Sequence, residues 1–194
     1  KFSKYEYTHI AVCLNKNIND FITFSRKKHY TPFNSGFMHE TLDCYAFGSN
    51  EKIKLKIFKV PVTIENKKII EQYIKKIAND NEYIFNLYSM ATMSLFHGFR
   101  IYKAHNCMSF VSKILKLSKS VNMTKKYYKY NIKDIDILLT DYKYREEYFY
   151  KTKIQNRDYM DNVSFINNVG MFFRLNGKLL YRIFSKRGLI KNEE

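Results

Sequence analysis

The sequence predicts an α+β fold, and three stretches carry that prediction. Residues 5–14 (Tyr-Glu-Tyr-Thr-His-Ile-Ala-Val-Cys-Leu) alternate, with Ile10, Val12 and Leu14 on one face and Tyr7, His9, Ala11 and Cys13 on the other, the period of a strand. From Glu65 to Asn79 the period turns helical, with Ile69, Ile70, Tyr73, Ile74 and Ile77 on one stripe and lysines outside it. Around Asn106-Cys107 a loop gives way to a helix that carries Phe110, Val111, Ile114 and Leu115. Those spacings put the Cys107 thiol on the buried face of that helix.

Composition bounds the remainder. A chain of 194 residues with 45% hydrophobic content can bury one domain and carry an appendage. The formal charge of +16 permits binding to nucleic acid, anionic lipid or acidic polymers. The lysines are scattered, however, and no nucleic-acid module signature is present, so no dedicated nucleic-acid site is expected. Cys13, Cys44 and Cys107 have neither CxxC pairing nor metal-type spacing with the histidines. Neither a metal site nor a cofactor is expected, and the thiols suit a reduced compartment better than a disulfide framework. No apolar run is long enough to span a bilayer and none reads as a signal peptide. The expected location is cytoplasmic, with membrane association as the alternative. The chain begins at Lys1, which leaves an upstream segment and export open.

In chain order, the strand at 5–14 leads through a turn at Asn15-Lys16-Asn17 to a returning strand at Asp20–Ser25, where Ile22 and Phe24 share a face. His9 then shares its face with Thr23 or Ser25, whose hydroxyl is placed to orient the imidazole. Arg26 to Leu42 holds Pro32 and Gly36 without periodicity and reads as a long ordered loop, the kind that lines sites. Glu40 within it is a candidate substrate contact or triad member, or else a solvated loop carboxylate; Tyr7 is a second candidate substrate contact. A short strand follows at Cys44–Phe47, then a turn at Gly48-Ser49-Asn50. Lys52–Val62 alternates lysine with Ile53, Leu55 and Ile57, the pattern of a half-exposed strand. Ile84 to Phe96 reads as one apolar helix ended by His97-Gly98. Asn131–Leu139 reads as a short helix capped by Asn131.

Two units are expected: a domain over 1–140 and a basic helical extension over 141–194. In the extension, Val163–Phe184 carries an apolar face with Arg174, Lys178 and Arg182 four apart along another stripe. Such a helix either lies on an anionic membrane surface or docks its apolar side on the domain or a second copy. Gly170 and Gly177 weaken it as an isolated helix.

The chemistry gathers at Cys107. A helix N-terminus favours thiolate over thiol, and a thiolate is a nucleophile once a histidine reaches it. The alternative is a buried structural cysteine, a common state of the residue.

The order of parts, a histidine strand first and a cysteine-led helix later, reverses the usual papain-like order, as circular permutation would. Tyr7-Thr8-His9-Ile10-Ala11-Val12, Phe24-Ser25-Arg26-Lys27 through Pro32–Phe37, and Asn106-Cys107-Met108-Ser109-Phe110-Val111 resemble stretches of the permuted NlpC/P60 (papain-like) superfamily, in particular its YiiX/YebB-like hydrolases. Asn131-Ile132-Lys133-Asp134-Ile135 resembles the segment that follows the cysteine helix there. The resemblance covers roughly residues 5–140. It implies a circularly permuted papain-like fold, an antiparallel sheet with the nucleophile helix packed on it.

The resemblance also implies Cys107 as nucleophile, His9 as general base, and the Cys107 N–H as an oxyanion donor. The orienting residue behind the histidine falls to Thr23, with Ser25 beside it. Ser109 stands where that family has glutamine, a departure expected to alter substrate contacts. Four of the six residues at 106–111 also match the Asn-Cys-Glu-His-Phe-Val of lecithin–retinol acyltransferase-like enzymes.

The function expected is a thiol hydrolase that cleaves an amide or ester of a peptide-like or N-acyl substrate through an acyl-enzyme. The alternatives are an acyltransferase or lipase at a membrane surface, a catalytically silent papain-like binding domain, and, on charge alone, a nucleic-acid binder.

Overall fold

The computed structural model describes residues 5–15, 20–46, 51–152 and 157–193. The turns expected around Lys16-Asn17 and at Gly48-Ser49-Asn50 lie outside them. In chain order the elements are β1 (Phe21–Arg26), β2 (Ser35–Glu40), β3 (Lys52–Phe58), α1 (Ile64–Ala78), β4 (Ile84–Phe85), α2 (Leu87–Ala91), α3 (Met93–Phe96), β5 (Ala104–His105), α4 (Cys107–Ser118), α5 (Ile132–Leu138), β6 (Lys143–Tyr150), α6 (Arg157–Met160) and α7 (Phe165–Ser185). The fold is mixed α+β with small sheets. β1 pairs antiparallel with β2, β3 antiparallel with β6, and β4 parallel with β5.

Helix α4 lies at the centre of the core. Phe110, Val111, Ile114 and Leu115 are buried against Phe24 of β1, Ile70 and Ile77 of α1, and Ile135 of α5. The Phe24 and Phe110 rings sit 5.3 Å apart, both fully buried. A capping box starts the helix: Asn106 Oδ1 accepts from the Ser109 N–H at 2.8 Å, and Ser109 Oγ accepts from the Asn106 N–H at 3.0 Å. Two donors that a helix start leaves unpaired are thereby satisfied. Asn131 and Asp134 do the same for α5.

Several local expectations are corrected. Residues 5–14 are extended but meet β1 through a single bridge, Val12 with Ile22, rather than a full hairpin. The stretch read as one long loop contains β2, whose register sets Phe37 opposite Phe24 and Glu40 opposite Phe21. Leu42–Cys44 is a 3-10 turn, not a strand. The single helix expected over 84–96 is broken into β4, α2 and α3, because Asn86 caps α2 through its side chain. His97 does end α3, in the left-handed conformation, and Gly98 follows with φ 75°. A Cβ at Gly98 would lie 2.2 Å from the Tyr128 carbonyl oxygen, so only glycine fits.

Residues beyond 140 were expected to be a helical extension. They begin instead with β6, which completes a sheet with β3 inside the first unit. Helix α7 then docks on β4 and β5 through Leu175 and Leu179, which pack with Ile84, Ile101 and Ala104. Arg182, expected on an outward basic stripe, is buried. It donates to the carbonyls of Tyr102 (3.1 Å), Lys103 (2.9 Å) and Glu82 (2.6 Å). Arg182→Met strands those acceptors and is expected to lower unfolding free energy by about 3 kcal/mol in chemical denaturation. Lys178→Met, exposed on the same helix, is expected to shift it by less than about 0.5 kcal/mol. Equal effects would contradict Arg182 as the anchor.

Candidate active site

Cys107 opens α4 at the floor of a cleft of about 960 Å³ and is itself buried. Its N–H belongs to the first helical turn, where the helix supplies no acceptor. Asn106 and Ser109 hold that turn in place. Ser109 is buried in the cap, so its side chain serves the helix start and not the substrate contact expected at this position.

Opposite the thiol stands His9, on the extended segment that Val12 ties to β1. Its Nε2 lies 2.8 Å from Glu40 Oε2, and the ring also hydrogen-bonds Cys107. With Nε2 committed to Glu40, Nδ1 is the nitrogen left for the sulfur. Burial works against a charged His9 ring, but hydrogen bonds with Cys107 and Glu40 and the charges of both outweigh it, so the His9 pKa is raised.

Glu40 is 2% exposed at the end of β2. Burial alone would push its carboxyl up. The hydrogen bond and charge of His9, and hydrogen bonds from Tyr45 and Ser25, hold it below its ordinary value. The Tyr45 hydroxyl donates to the same Oε2 at 2.6 Å. Burial and the Glu40 charge raise the Tyr45 pKa, so the phenol keeps its proton and stays a donor. The result is a chain of contacts from Tyr45 and Ser25 through Glu40 and His9 to Cys107.

This assigns the sequence candidates differently in two places. Thr23 does not orient the imidazole: its Oγ1 donates 2.9 Å to the Ile10 carbonyl and is fully buried. Its side chain fastens the histidine segment to β1. Glu40, expected first as a substrate contact, is instead the group behind the histidine. Its carboxylate is too buried and too fully engaged to receive a substrate directly. Ser25 reaches Glu40 and not His9.

Tyr7 lines the cleft, and its hydroxyl is already engaged, donating to Glu146 Oε1 at 2.7 Å. Tyr45 was missed altogether. Its one sequence signal is a phenol five residues after Glu40, which alone names no partner.

A second histidine near the thiol does different work. His105 is buried, 3.1 Å from the Tyr73 hydroxyl, and burial together with the Lys113 and Arg100 charges lowers its pKa to about 3. A ring held neutral in this way packs the core and takes up no proton at ordinary pH.

Much of the remaining lining is apolar: Ile53, Leu55 and Ile57 of β3 and Ile10, Val12 and Leu14 contribute, alongside Lys54, Lys56 and Asp136. Among the described residues no three His, Cys, Asp or Glu side chains come together as a metal site. Cys13 is half-buried and donates to the Asn15 carbonyl at 3.1 Å; Cys44 is buried, and burial raises its pKa.

No protein-family model, curated protein or solved structure matches the chain.

Proposed function

We propose that the protein is a thiol hydrolase of circularly permuted papain-like architecture, cleaving an amide or ester through an acyl-enzyme on Cys107. The observation that carries this reading is His9, which touches both the Cys107 thiol and the buried Glu40 carboxylate. A nucleophile, a base, and a third group that orients the base form a recurring hydrolytic constellation.

The reaction follows from these groups. Cys107 Sγ attacks the carbonyl carbon while His9 holds the thiol proton, and the carbonyl oxygen becomes an oxyanion beside the Cys107 N–H. The tetrahedral adduct collapses, the carbon–nitrogen or carbon–oxygen bond breaks, and His9 gives its proton to the departing amine or alkoxide. Water then attacks the thioester, with His9 taking its proton. The carbon–sulfur bond breaks, a carboxylic acid leaves, and the thiol is restored. Glu40 is a positioning residue: it fixes the ring and offsets the imidazolium charge without touching substrate.

The apolar share of the lining, with Ile10, Val12, Ile53, Leu55 and Ile57, favours an acyl group that carries hydrocarbon. That same observation supports the second reading, acyl transfer from a lipid ester at a membrane surface, in which an alcohol or amine replaces water in the second step.

A thiol-directed electrophile followed by peptide mass spectrometry tests the proposal. Cys107 is expected to be modified well ahead of Cys13 and Cys44. If Cys107 reacts no faster than Cys13, the domain is a binding module and the hydrolase reading fails.

A further inference from the structure

Helix α7 is apolar on two faces, and the fold uses only one. At 100° per residue, Leu175, Leu179 and Arg182 share the side that docks on β4 and β5. Ile166, Val169, Phe173, Leu180 and Phe184 run along the other side, spaced three, four, seven and four residues apart. This outer stripe is open: Ile166 is 80% exposed, Phe173 68% and Phe184 80%, with Phe165 at the helix start 82% exposed. Gly170 and Gly177 lie beside the stripe with nothing within 4 Å of where a Cβ would stand. The stripe is thus a continuous apolar surface about as long as the helix, beyond the scattered single apolar residues of an ordinary surface.

Charge identifies what covers it. Arg174 and Lys178, both exposed, project from the seam between the two faces. Between Asn162 and Asn192 the sequence holds six lysines and arginines and no aspartate or glutamate. Two copies meeting through this stripe would oppose these cations with no carboxylate of the segment to pair them, in a chain already at +16. An anionic bilayer removes both difficulties: aromatic and aliphatic side chains enter the acyl boundary, and the flanking cations meet headgroup phosphates and carboxylates.

We infer that the outer face of α7 seats the protein on an anionic lipid surface, with the helix lying in the interface plane. No helix among the described residues is long and apolar enough to cross a membrane, so the contact is with one leaflet. The helix also joins this surface to the cleft. Phe172 packs edge-on against Phe33, a cleft-lining residue, at 4.9 Å, and Asn168 Nδ2 donates to the Tyr30 carbonyl.

Vesicle sedimentation of the full chain carrying Cys107→Ala tests this independently of any activity. Binding is expected on phosphatidylcholine vesicles containing phosphatidylserine and to be far weaker on phosphatidylcholine alone. Phe173→Ser with Phe184→Ser, and separately Arg174→Glu with Lys178→Glu, are each expected to weaken binding on the order of tenfold or more. All four positions are exposed, so an unchanged melting temperature shows that these variants fold. Failure to sediment, or binding unchanged by the phenylalanine pair, overturns the inference. So does a dimer in analytical ultracentrifugation that the same pair converts to monomer, which would assign the stripe to a second copy.

Discussion

His9→Ala is expected to lower the rate at which Cys107 forms the proposed acyl-enzyme by roughly 10²–10⁴-fold, the range supplied by a positioned acid–base group. The size of the effect follows from the geometry. In the proposed mechanism His9 both accepts the thiol proton and returns it to the leaving group, so its loss should affect bond formation and bond cleavage together. Burst kinetics with an activated ester read the first step directly, and trapping by an electrophile reads the thiol without any substrate. Cys13, whose thiol donates to the Asn15 carbonyl, serves as an internal standard. A loss at Cys107 no greater than that at Cys13 would mean the imidazole does not activate the sulfur. The variant also leaves the Glu40 carboxylate buried without its cationic partner, though Tyr45 and Ser25 still donate to it. A matched His9→Ala/Glu40→Gln protein removes that charge, and the rate loss should persist in it when stability is restored.

Much of this centre was legible in the sequence because its parts sit on strongly periodic elements. The apolar spacing after Cys107 announced α4, and alternation placed His9 on the face opposite Ile10 and Val12. The third group was hidden by the same rule. In β2 the most buried positions are Gly36 and Glu40, while Phe37 is only half-buried. Hydrophobic alternation cannot register a strand whose inward positions are glycine and a charged residue. With β2 read as loop, Glu40 had no reason to point inward, and the hydroxyl nearest in register, Thr23, took its place. The break at Asn86 was similarly invisible: the apolar run from Ile84 to Phe96 continues past it, and only the side-chain cap reveals that the helix begins again there. Helix α7 was legible as an amphipathic helix, but not which of its apolar faces would dock. That choice depends on Ile84, Ile101 and Ala104, which come together only in the folded chain.

Glu40→Gln separates a positioning carboxylate from a passive one through the pH dependence of stability. The amide keeps the shape and can still accept from His9, but it carries no charge. Glu40 titrates below its ordinary 4.5 in the folded protein, so its contribution is present above pH 4.5 and is lost as pH falls through the depressed folded value. His9 titrates above its ordinary 6.5, so its contribution is complete below pH 6.5 and fades as pH rises toward the folded value. The two windows overlap between pH 4.5 and 6.5. There the wild type should exceed Glu40→Gln by about 2 kcal/mol, the scale of a hydrogen bond to a charged group. Partial exposure of His9, at 30%, keeps the figure at the low end of that scale through solvent screening. In a chain of this length that corresponds to roughly 5 °C in melting temperature. The gap should narrow on both sides of the window, at acid pH as Glu40 protonates and at alkaline pH as His9 loses its proton. A difference that stays constant across the whole range would mean the pair is held by shape alone, and Glu40 would lose its place behind the histidine. In the same variant the alkaline limb of the activity profile should move to lower pH, because His9 no longer has the carboxylate that keeps it protonated. A purely structural defect would lower activity at every pH and leave that limb where it was.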